Sequence, residues 1–399
     1  MAHLFPATRT EALNRLQNFL PNAGHHYTTG RNTDNGPDGH AHVSLLSPYL
    51  RHRLITEREV VQAVLHKHSL PAAEKYIQEV LWRTYWKGWL EMRPNMWARF
   101  VAERDQMRDS FPNARAITAA ETGMTGIDGF DDWAKELVET GYLHNHARMW
   151  FASIWIFTLR LPWALGADFF LRHLIDADAA SNTLSWRWVA GLQTAGKTYL
   201  ATADNIARFT GGRFSPKGLA SEAVALTETP VEIPKQIPNA QDYDPRSPAF
   251  LLVTPEDMNA ETLFSQAPQI AGAIVVTGAS LSCGDRSARF AADAATDTAD
   301  RIKSHFRCAV NTSALLDANA LIAAAQAANA RQIVTSYAPV GPAADAMAAL
   351  TVELAQAGIA LLQIQRPWDT RFWPHAKKGF FPFKEQIATG LIAEGITAR

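Results

Sequence analysis

The chain has 399 residues, 47% of them apolar and 19% charged, which excludes a disordered protein and leaves enough sequence for two or three domains. Lysine and arginine number 38 against 39 aspartate and glutamate residues, which excludes a uniformly basic, histone-like protein but not a local basic groove. Only Cys283 and Cys308 are cysteines, which is too few for a disulfide framework. No run of eighteen uncharged apolar residues occurs, so no membrane span is predicted.

The first 20 residues carry Arg9, Glu11 and Arg15 in an amphipathic pattern, without the apolar core of a signal peptide. We therefore expect a reduced, cytoplasmic location. Apolar residues then recur at three- and four-residue spacing, which predicts a domain made only of helices over residues 1–214. The helices that this spacing predicts are 57–68, 72–89, 133–140 and 148–159.

Five prolines fall within 19 residues between Pro230 and Pro248, a density that disfavours helix and predicts an extended linker over residues 215–248. Beyond it, short apolar runs alternate with alanine-rich helical stretches. We predict a Rossmann-like parallel α/β domain over residues 249–399. Its predicted strands are 250–254, 270–277, 332–335 and 358–364, and its predicted helices are 287–306, 313–328 and 343–356. Gly278 and Gly284 do not have the spacing of a dinucleotide-binding loop.

Two segments of the helical half could bind a ligand through a helix. Ser44 and Ser47, with Pro48, come just before a predicted helix, which suits either a phosphate or an ordinary helix start. Farther along, Glu79, Trp82, Arg83 and Trp86 share one helical face. That face could receive a base, or it could be a tryptophan core stripe with a solvated Glu79–Arg83 pair.

Two further segments place polar groups among apolar residues. His144 and His146 lack a third ligand at metal-binding spacing, so no metal is expected, whereas the nearby Arg148 is more informative. Asp176, Asp178 and Asn182 lie in an otherwise apolar stretch. Burying two acids and an amide is costly unless each has a partner, so a polar ligand or the Arg148 cation is expected beside them.

Taken in order, these segments resemble the FAD-binding domain of the cryptochrome/photolyase family. The motifs are E-x-x-W-R from Glu79, T-G-x-x-x-x-D from Thr125, T-G-x-x-H-N-x-x-R-M from Thr140, and D-x-D-x-x-x-N-x-x-x-W-x-W from Asp176. The stretch S-x-L-S-P-Y-L from Ser44 is similar to the family's FAD-phosphate loop, with Val43 and Leu45 departing from the usual threonine and arginine. The second half more loosely resembles the family's α/β antenna domain, which implies that the two domains occur here in permuted order.

The resemblance implies non-covalent FAD and a role for each matching residue. Ser44, Leu46 and Ser47 would hold the FAD phosphates, and Arg148 with Asp176 would form an ion pair beside the flavin ring. Asp178 would hydrogen-bond the cofactor, and Asn182 would face flavin N5.

The resemblance also implies light-driven repair of cyclobutane pyrimidine dimers in DNA by electron transfer from reduced FAD, with the lesion flipped into a pocket. Glu79, Trp82, Asn145 and Trp188 map to that pocket. Six-four photolyases carry histidine where Asn145 stands, which favours the cyclobutane substrate. The alternative is a cryptochrome-like blue-light sensor without repair. We expect a monomer.

Trp186 and Trp163 match the two inner members of the family's electron-transfer chain of three tryptophans. The outermost member would fall within residues 108–117, which contain no tryptophan or tyrosine. Trp133, Trp150 and Trp155 are candidate replacements, and each could instead be a core aromatic.

The α/β domain is expected to dock on the side of the helical domain that the family uses. Phe380, Phe381 and Phe383 are predicted to pack at this contact. The cleft between the domains could then hold a second, antenna chromophore, or the α/β domain could be a purely structural cover.

Overall fold

The protein is described by a computed structural model that covers residues 5–37, 39–266, 268–278, 281 and 284–396. Its first part is helical, as predicted. The α-helices here are α1 (Arg9–Phe19), α2 (His25–Gly30), α3 (Ser47–Arg51), α4 (Glu57–Lys67), α5 (Leu70–Glu91), α6 (Asn95–Ser110), α7 (Ala114–Glu121), α8 (Phe130–Thr140), α9 (Asn145–Ser153), α10 (Trp163–His173), α11 (Ala179–Val189) and α12 (Ala203–Phe209).

Local sequence explains where several helices begin and end. At α4, the Thr56 hydroxyl accepts from the Glu59 N–H while the Glu59 carboxylate accepts from the Thr56 N–H, a reciprocal cap. At α8, Gly141 takes a left-handed conformation (φ 72°) that ends the helix. The predicted helix 148–159 is only partly correct, because α9 stops at Ser153 and a π-turn, Ile154–Thr158, follows it.

The second part is an α/β domain with a five-stranded parallel sheet in the order β3-β2-β1-β4-β5. The strands are β1 (Ala249–Val253), β2 (Ile270–Val276), β3 (Val310–Ser313), β4 (Gln332–Ser336) and β5 (Ala360–Ile364). The α-helices are α13 (Asp285–Phe306), α14 (Ala318–Ala327), α15 (Pro342–Gln356), α16 (Pro367–Phe372), α17 (Phe380–Lys384) and α18 (Ile387–Ala393). The central strands β1 and β4 are buried along their whole length, as crossover helices on both faces require.

The prediction of a helix beginning at Ser313 is wrong. Ser313 is the last residue of the edge strand β3, and α14 begins at residue 318 with the Asp317 carboxylate accepting from the Ala320 N–H. Residues 279, 280 and 283, which include part of the glycine-spaced turn and Cys283, lie outside the described residues.

The linker, residues 215–248, contains neither helix nor strand, as its prolines predict. It nevertheless lies against the helical domain. The Leu226 N–H donates to the Ala190 carbonyl at 3.0 Å, and the Lys235 N–H donates to the Met92 carbonyl at 2.8 Å. The Glu228 carboxylate also accepts from Arg187 and Arg99. The linker is therefore extended but anchored.

Buried charges join the two domains. Arg53, 3% exposed, donates to Asp369 at 2.7 Å and approaches Asp257 at 3.4 Å. Arg51 donates to Glu256 at 2.7 Å. Because these groups have left water, each depends on its partner across the contact. The α/β domain is thus tied to the helical domain by α3 and the turn after it.

Helix α5 forms the other side of the contact. A Cβ atom on Gly88 would lie 2.7 Å from the Cα atom of Trp373, so only glycine permits this approach. Phe380 and Phe383 are buried against α5, as predicted, but the prediction for Phe381 is wrong. Its side chain is 79% exposed, because successive residues of a helix point about 100° apart and α17 turns it to solvent.

The C-terminal end of α5 predicts a pH-dependent stability. Glu91 accepts from the Tyr337 hydroxyl at 2.8 Å and the Val340 N–H at 2.5 Å, and burial raises its pKa from 4.5 to about 7. Lys87 opposes this shift and Asp369 adds to it. The folded state therefore holds this proton more tightly than the unfolded state.

Stability from this group is present below about pH 4.5 and is lost as the pH rises through 7. We expect the parent to lose about 3 kcal/mol of unfolding free energy over this range relative to Glu91→Gln, measured by urea unfolding at each pH. Parallel pH profiles of the parent and the variant would contradict this assignment.

Among the described residues, no helix has the length and apolar character needed to cross a bilayer.

Candidate functional site

A cavity of about 570 Å³ lies in the helical domain between α5, α9, α11 and the loop before α3. Its volume falls in the range of small-molecule and cofactor sites. It brings together most of the predicted site residues. Those on its wall are Ser44, Leu46, Ser47, Glu79, Trp82, Asn145, Arg148, Asp176, Asn182, Trp186 and Trp188.

Arg148 and Asp176 form a bidentate ion pair on the cavity wall, with N···O distances of 3.1 and 2.9 Å. The Arg148 Nε also donates to the Leu143 carbonyl at 2.8 Å, which fixes the guanidinium plane. Burial alone would raise the pKa of Asp176, but Arg148, with smaller contributions from Arg83 and Ser47, lowers it below its ordinary value. The cavity therefore holds a fixed cation with its counter-ion.

The loop before α3 presents the serines to the cavity. Leu45 takes a left-handed conformation (φ 54°) that turns the chain, and Pro48 sits in the first turn of α3. The Ser44 hydroxyl contacts the Tyr76 hydroxyl, and the Ser47 hydroxyl hydrogen-bonds Asp176. Both hydroxyls thus lie on the cavity wall, Ser47 next to the ion pair.

Helix α11 adds polar groups from its first turn. The Asn182 Nδ2 donates to the Ala167 carbonyl at 2.8 Å, which orients the amide. Ser181 is among the residues that line the cavity, and its buried hydroxyl has no hydrogen-bond partner among the described residues. A buried hydroxyl without a partner is costly, so this atom favours a polar ligand in the cavity.

Asp178 does not line the cavity. Its carboxylate accepts from the Ser181 N–H at 2.7 Å, capping α11, and forms an ion pair with Arg83. Arg83 does line the cavity. The structure therefore places Asp178 behind Arg83, and its predicted hydrogen bond to a cofactor stays a prediction.

Glu79 pairs with Arg31, not with Arg83 as the solvated-pair alternative supposed. Both side chains are about 70% buried and both line the cavity. Burial raises the pKa of Glu79, and Arg31 partly offsets that rise. Sequence reasoning missed Arg31, because it precedes Glu79 by 48 residues and stands outside every motif.

Aromatic rings line the same cavity as the Glu79–Arg31 ion pair. Trp82 is partly exposed to the cavity, and its ring stacks on Phe380 of the α/β domain with centroids 3.7 Å apart and planes 10° apart. Trp188 lies on the same wall and stacks on Tyr199 at 5.8 Å. Asn145, at the start of α9, is exposed.

The two histidines near Arg148, His144 and His146, have structural partners. His144 caps α9 by accepting from the His146 N–H, and burial lowers its pKa to about 4. His146 contacts the Asn32 carbonyl and the Tyr199 hydroxyl. Within the described ranges, no group of three or more histidine, cysteine or carboxylate side chains is arranged to hold a metal.

The predicted tryptophans occupy two places. Trp186 lines the cavity and lies 6.2 Å from the fully buried Trp155, measured between ring centroids. Trp163 instead lines a separate surface cleft of about 690 Å³, together with Phe111, which falls in the segment expected to carry the outermost tryptophan. Trp133 and Trp150 stack on each other in the core.

The motif from Thr125 to Asp131 has a structural role. The Asp131 carboxylate accepts from the Thr125 N–H and hydroxyl and from the Gly126 N–H, at 2.7 to 3.0 Å. These bonds fix the turn that leads into α8, and they lie outside the cavity wall.

Comparison with known proteins identifies this domain. Residues 76–218, from within α5 to just past α12, match the family model of the FAD-binding domain of DNA photolyase. Much of the helical domain is therefore similar to the FAD-binding domain of the cryptochrome/photolyase family. The match begins after the loop at Ser44–Ser47, so the resemblance of that loop rests on its own motif.

Curated relatives match the photolyase-family domain at modest identity. A deoxyribodipyrimidine photo-lyase of Streptomyces griseus is 34% identical over 171 residues, which is 40% of this chain and 37% of that protein. One from Agrobacterium fabrum is 31% identical over 191 residues, 46% of this chain and 38% of that protein. The chain thus spans about two fifths of the length of these relatives.

Solved structures also match the photolyase-family domain. The crystal structure of a bacterial class III photolyase from Agrobacterium tumefaciens is 28% identical and has a TM-score of 0.41. The match covers 51% of this chain and 43% of that one.

Proposed function

We propose that this protein binds FAD in the 570 Å³ cavity and uses it for light-driven repair of cyclobutane pyrimidine dimers in DNA. One observation carries the proposal. A single cavity holds both the residues that would bind the cofactor and those that would contact the lesion. Electron transfer between two bound groups is fastest when they lie close together.

The cofactor fits the residues present. Ser181, a residue of the cavity wall, has a hydroxyl with an unused hydrogen bond, and Arg148 places a fixed positive charge on the same wall. That charge would stabilise a reduced, anionic flavin. Ser44, Leu46 and Ser47 would hold the phosphates, Asn182 would face flavin N5 without protonating it, and Asp178 would act through Arg83. Bound and reduced, FAD would supply the light-activated electron that opens the cyclobutane ring and then accept it back.

The lesion would enter beside Glu79, Trp82, Asn145 and Trp188. Stacking on an aromatic face contributes about 1–3 kcal/mol per base, which helps offset the cost of flipping the dimer out of the duplex. Glu79, on the cavity wall, would hydrogen-bond the dimer and so stabilise the negative charge that develops on it.

Trp186 would pass an electron to the cofactor, because it lies on the cavity wall. Trp155 would extend this route, because its ring centroid lies 6.2 Å from that of Trp186 and its side chain is wholly buried. Trp163 would carry the charge to the surface cleft that it lines. The proposed route of buried tryptophans would therefore reach the surface at this cleft. It would need no tryptophan or tyrosine from residues 108–117, where Phe111 is the aromatic residue.

The arrangement of the chain is also part of the proposal. The helical domain precedes the α/β domain here, and we infer that this order is permuted relative to the family, with the α/β domain docked at the family's position. We further propose a cytoplasmic monomer. The close approach of Gly88 to Trp373 closes the contact along α5, so an antenna chromophore would have to bind elsewhere between the domains.

The proposal is tested by purifying the protein with FAD supplied and recording its absorption spectrum. The reduced protein is then illuminated with an oligonucleotide that contains a single thymine dimer. Flavin absorbance and light-dependent loss of the dimer are the expected results. Protein without flavin would refute the proposal, and flavin-loaded protein that leaves the dimer intact would favour the blue-light sensor.

The lesion pocket makes a separate prediction. Glu79→Ala combined with Trp82→Phe should leave FAD bound and lower the rate of dimer repair at least tenfold, because the Glu79 hydrogen bond and part of the stacking surface are both lost. Repair is measured by single-turnover illumination of the reduced protein. A matched control is Glu74→Ala with Trp89→Phe, two residues of the same helix that do not line the cavity. Parent-like repair by the Glu79, Trp82 variant would remove both residues from the lesion pocket.

A further inference from the structure

Phe381 is unusual in this molecule. Among the phenylalanine, tyrosine and tryptophan residues that the structure describes, it alone is exposed, with 79% of its surface accessible to solvent. A phenylalanine ring left in water forgoes the roughly 1.5–3 kcal/mol that its burial would contribute. Its two neighbours on α17, Phe380 and Phe383, are buried, so the exposure is specific to this position.

The position of Phe381 is fixed beside the cavity. Phe380 stacks on Trp82, which lines the cavity, and Phe383 packs on Tyr85 with centroids 5.5 Å apart. Phe381 follows Phe380 directly, and adjacent Cα atoms are about 3.8 Å apart. Its backbone is therefore held by residues that pack on α5, and its ring does not line the cavity.

The segment before α17 is both basic and rigid. The Lys378 carbonyl accepts from the Tyr85 hydroxyl at 2.7 Å, and the Lys377 carbonyl accepts from Arg93 at 2.8 Å. Both lysine side chains are exposed. Two cations and one aromatic ring thus project together from a backbone held against α5. This is the local positive charge that a chain of net charge −1 needs in order to contact phosphates.

We propose that Phe381 is a wedge that enters the DNA duplex beside a flipped-out pyrimidine dimer, while Lys377 and Lys378 contact the flanking phosphates. The inference rests on the proposed function and extends it to double-stranded substrate. A flipped dimer leaves a gap in the base stack, and apolar side chains that enter such gaps replace part of the lost stacking. The wedge comes from the α/β domain, whereas the cavity belongs to the helical domain.

DNA suits this surface better than a protein partner. A specific protein interface buries about 800 Å² on each side, around an apolar centre from which charged residues are depleted. Here a single exposed ring follows two exposed lysines and a glycine, Gly379. An aromatic tip with cations near it in the chain suits a stacked base step with its phosphates.

The experiment compares duplex and single-stranded oligonucleotides that carry one thymine dimer, bound in the dark by the FAD-loaded protein. Phe381→Ala should weaken binding to the duplex about tenfold and leave binding to the single strand within twofold of the parent, because only the duplex has a gap to fill. Phe381→Trp should restore duplex binding. Ile392→Ala, which removes another exposed apolar side chain of the same domain, is the matched control and should behave as the parent.

A second measurement tests the lysines. Lys377→Ala and Lys378→Ala should each lower the slope of log affinity against log salt by about one. Unchanged duplex binding by Phe381→Ala, or an equal loss on duplex and single strand, would overturn the wedge while leaving the proposed function intact. A parent that binds neither substrate would instead contradict the proposed function.

Discussion

Replacing Arg148 by alanine is expected to cost about 3–5 kcal/mol of unfolding free energy and to abolish FAD retention. The variant leaves the Asp176 carboxylate, only 4% exposed, without its cation, and breaking a buried pair from one side costs this much. It also removes the positive charge proposed to stand beside the flavin. Urea unfolding and the flavin-to-protein absorbance ratio measure the two effects.

A double variant separates the two effects. Arg148→Met with Asp176→Leu removes both charges and should recover most of the stability, since an apolar pair can replace a buried ion pair. FAD retention should remain lost, because the cation is still missing. Recovery of FAD binding in this variant would show that Arg148 supports the fold and does not act on the cofactor.

Replacing Arg53 by alanine is expected to destabilise the protein by about 3–5 kcal/mol and to loosen the contact between the domains. Asp369 and Asp257 would both lose a cation in a place that water does not reach. Burial already raises the pKa of Asp369 with Arg53 present. The loss should therefore shrink as the pH falls, because a protonated carboxyl needs no cation.

Urea unfolding and solution scattering measure the effect of Arg53→Ala. Lys235→Ala, which removes a solvent-exposed pair with Glu232, is the control and should change stability by less than about 1 kcal/mol. An Arg53→Ala protein with parent stability and an unchanged scattering profile would show that the domains are held by other contacts.

The sequence predicted well those elements whose signal is local. Helix α5 and strands β1 and β4 were found because their apolar periodicity or apolar runs are long and strong. Strand β3 was missed because Val310–Ser313 is a short edge strand whose residues are partly or fully exposed, so no apolar run marks it. The π-turn after α9 was missed because its apolar residues suit a helix equally well.

The same contrast between local patterns and long-range packing applies to the residues of the cavity. Eleven of the thirteen predicted site residues line it, because the motifs carry their spacing along the chain. Asp178 and Trp163 do not, since their orientation depends on Arg83 in one case and on the packing of α10 in the other. The Arg31–Glu79 pair and the stack of Phe380 on Trp82 join residues 48 and 298 positions apart. Contacts of this kind follow from tertiary packing, which no local pattern encodes.

The stack between Phe380 and Trp82 has a consequence for how this protein can evolve. A domain that only covers its neighbour can be exchanged for another cover, but this one supplies the ring behind a cavity residue. A substitution at Phe380 changes the support of Trp82, and a substitution at Trp82 changes what α17 packs against. Substitutions at Trp82 and at Phe380 are therefore expected to be coupled, although the two residues belong to different folds.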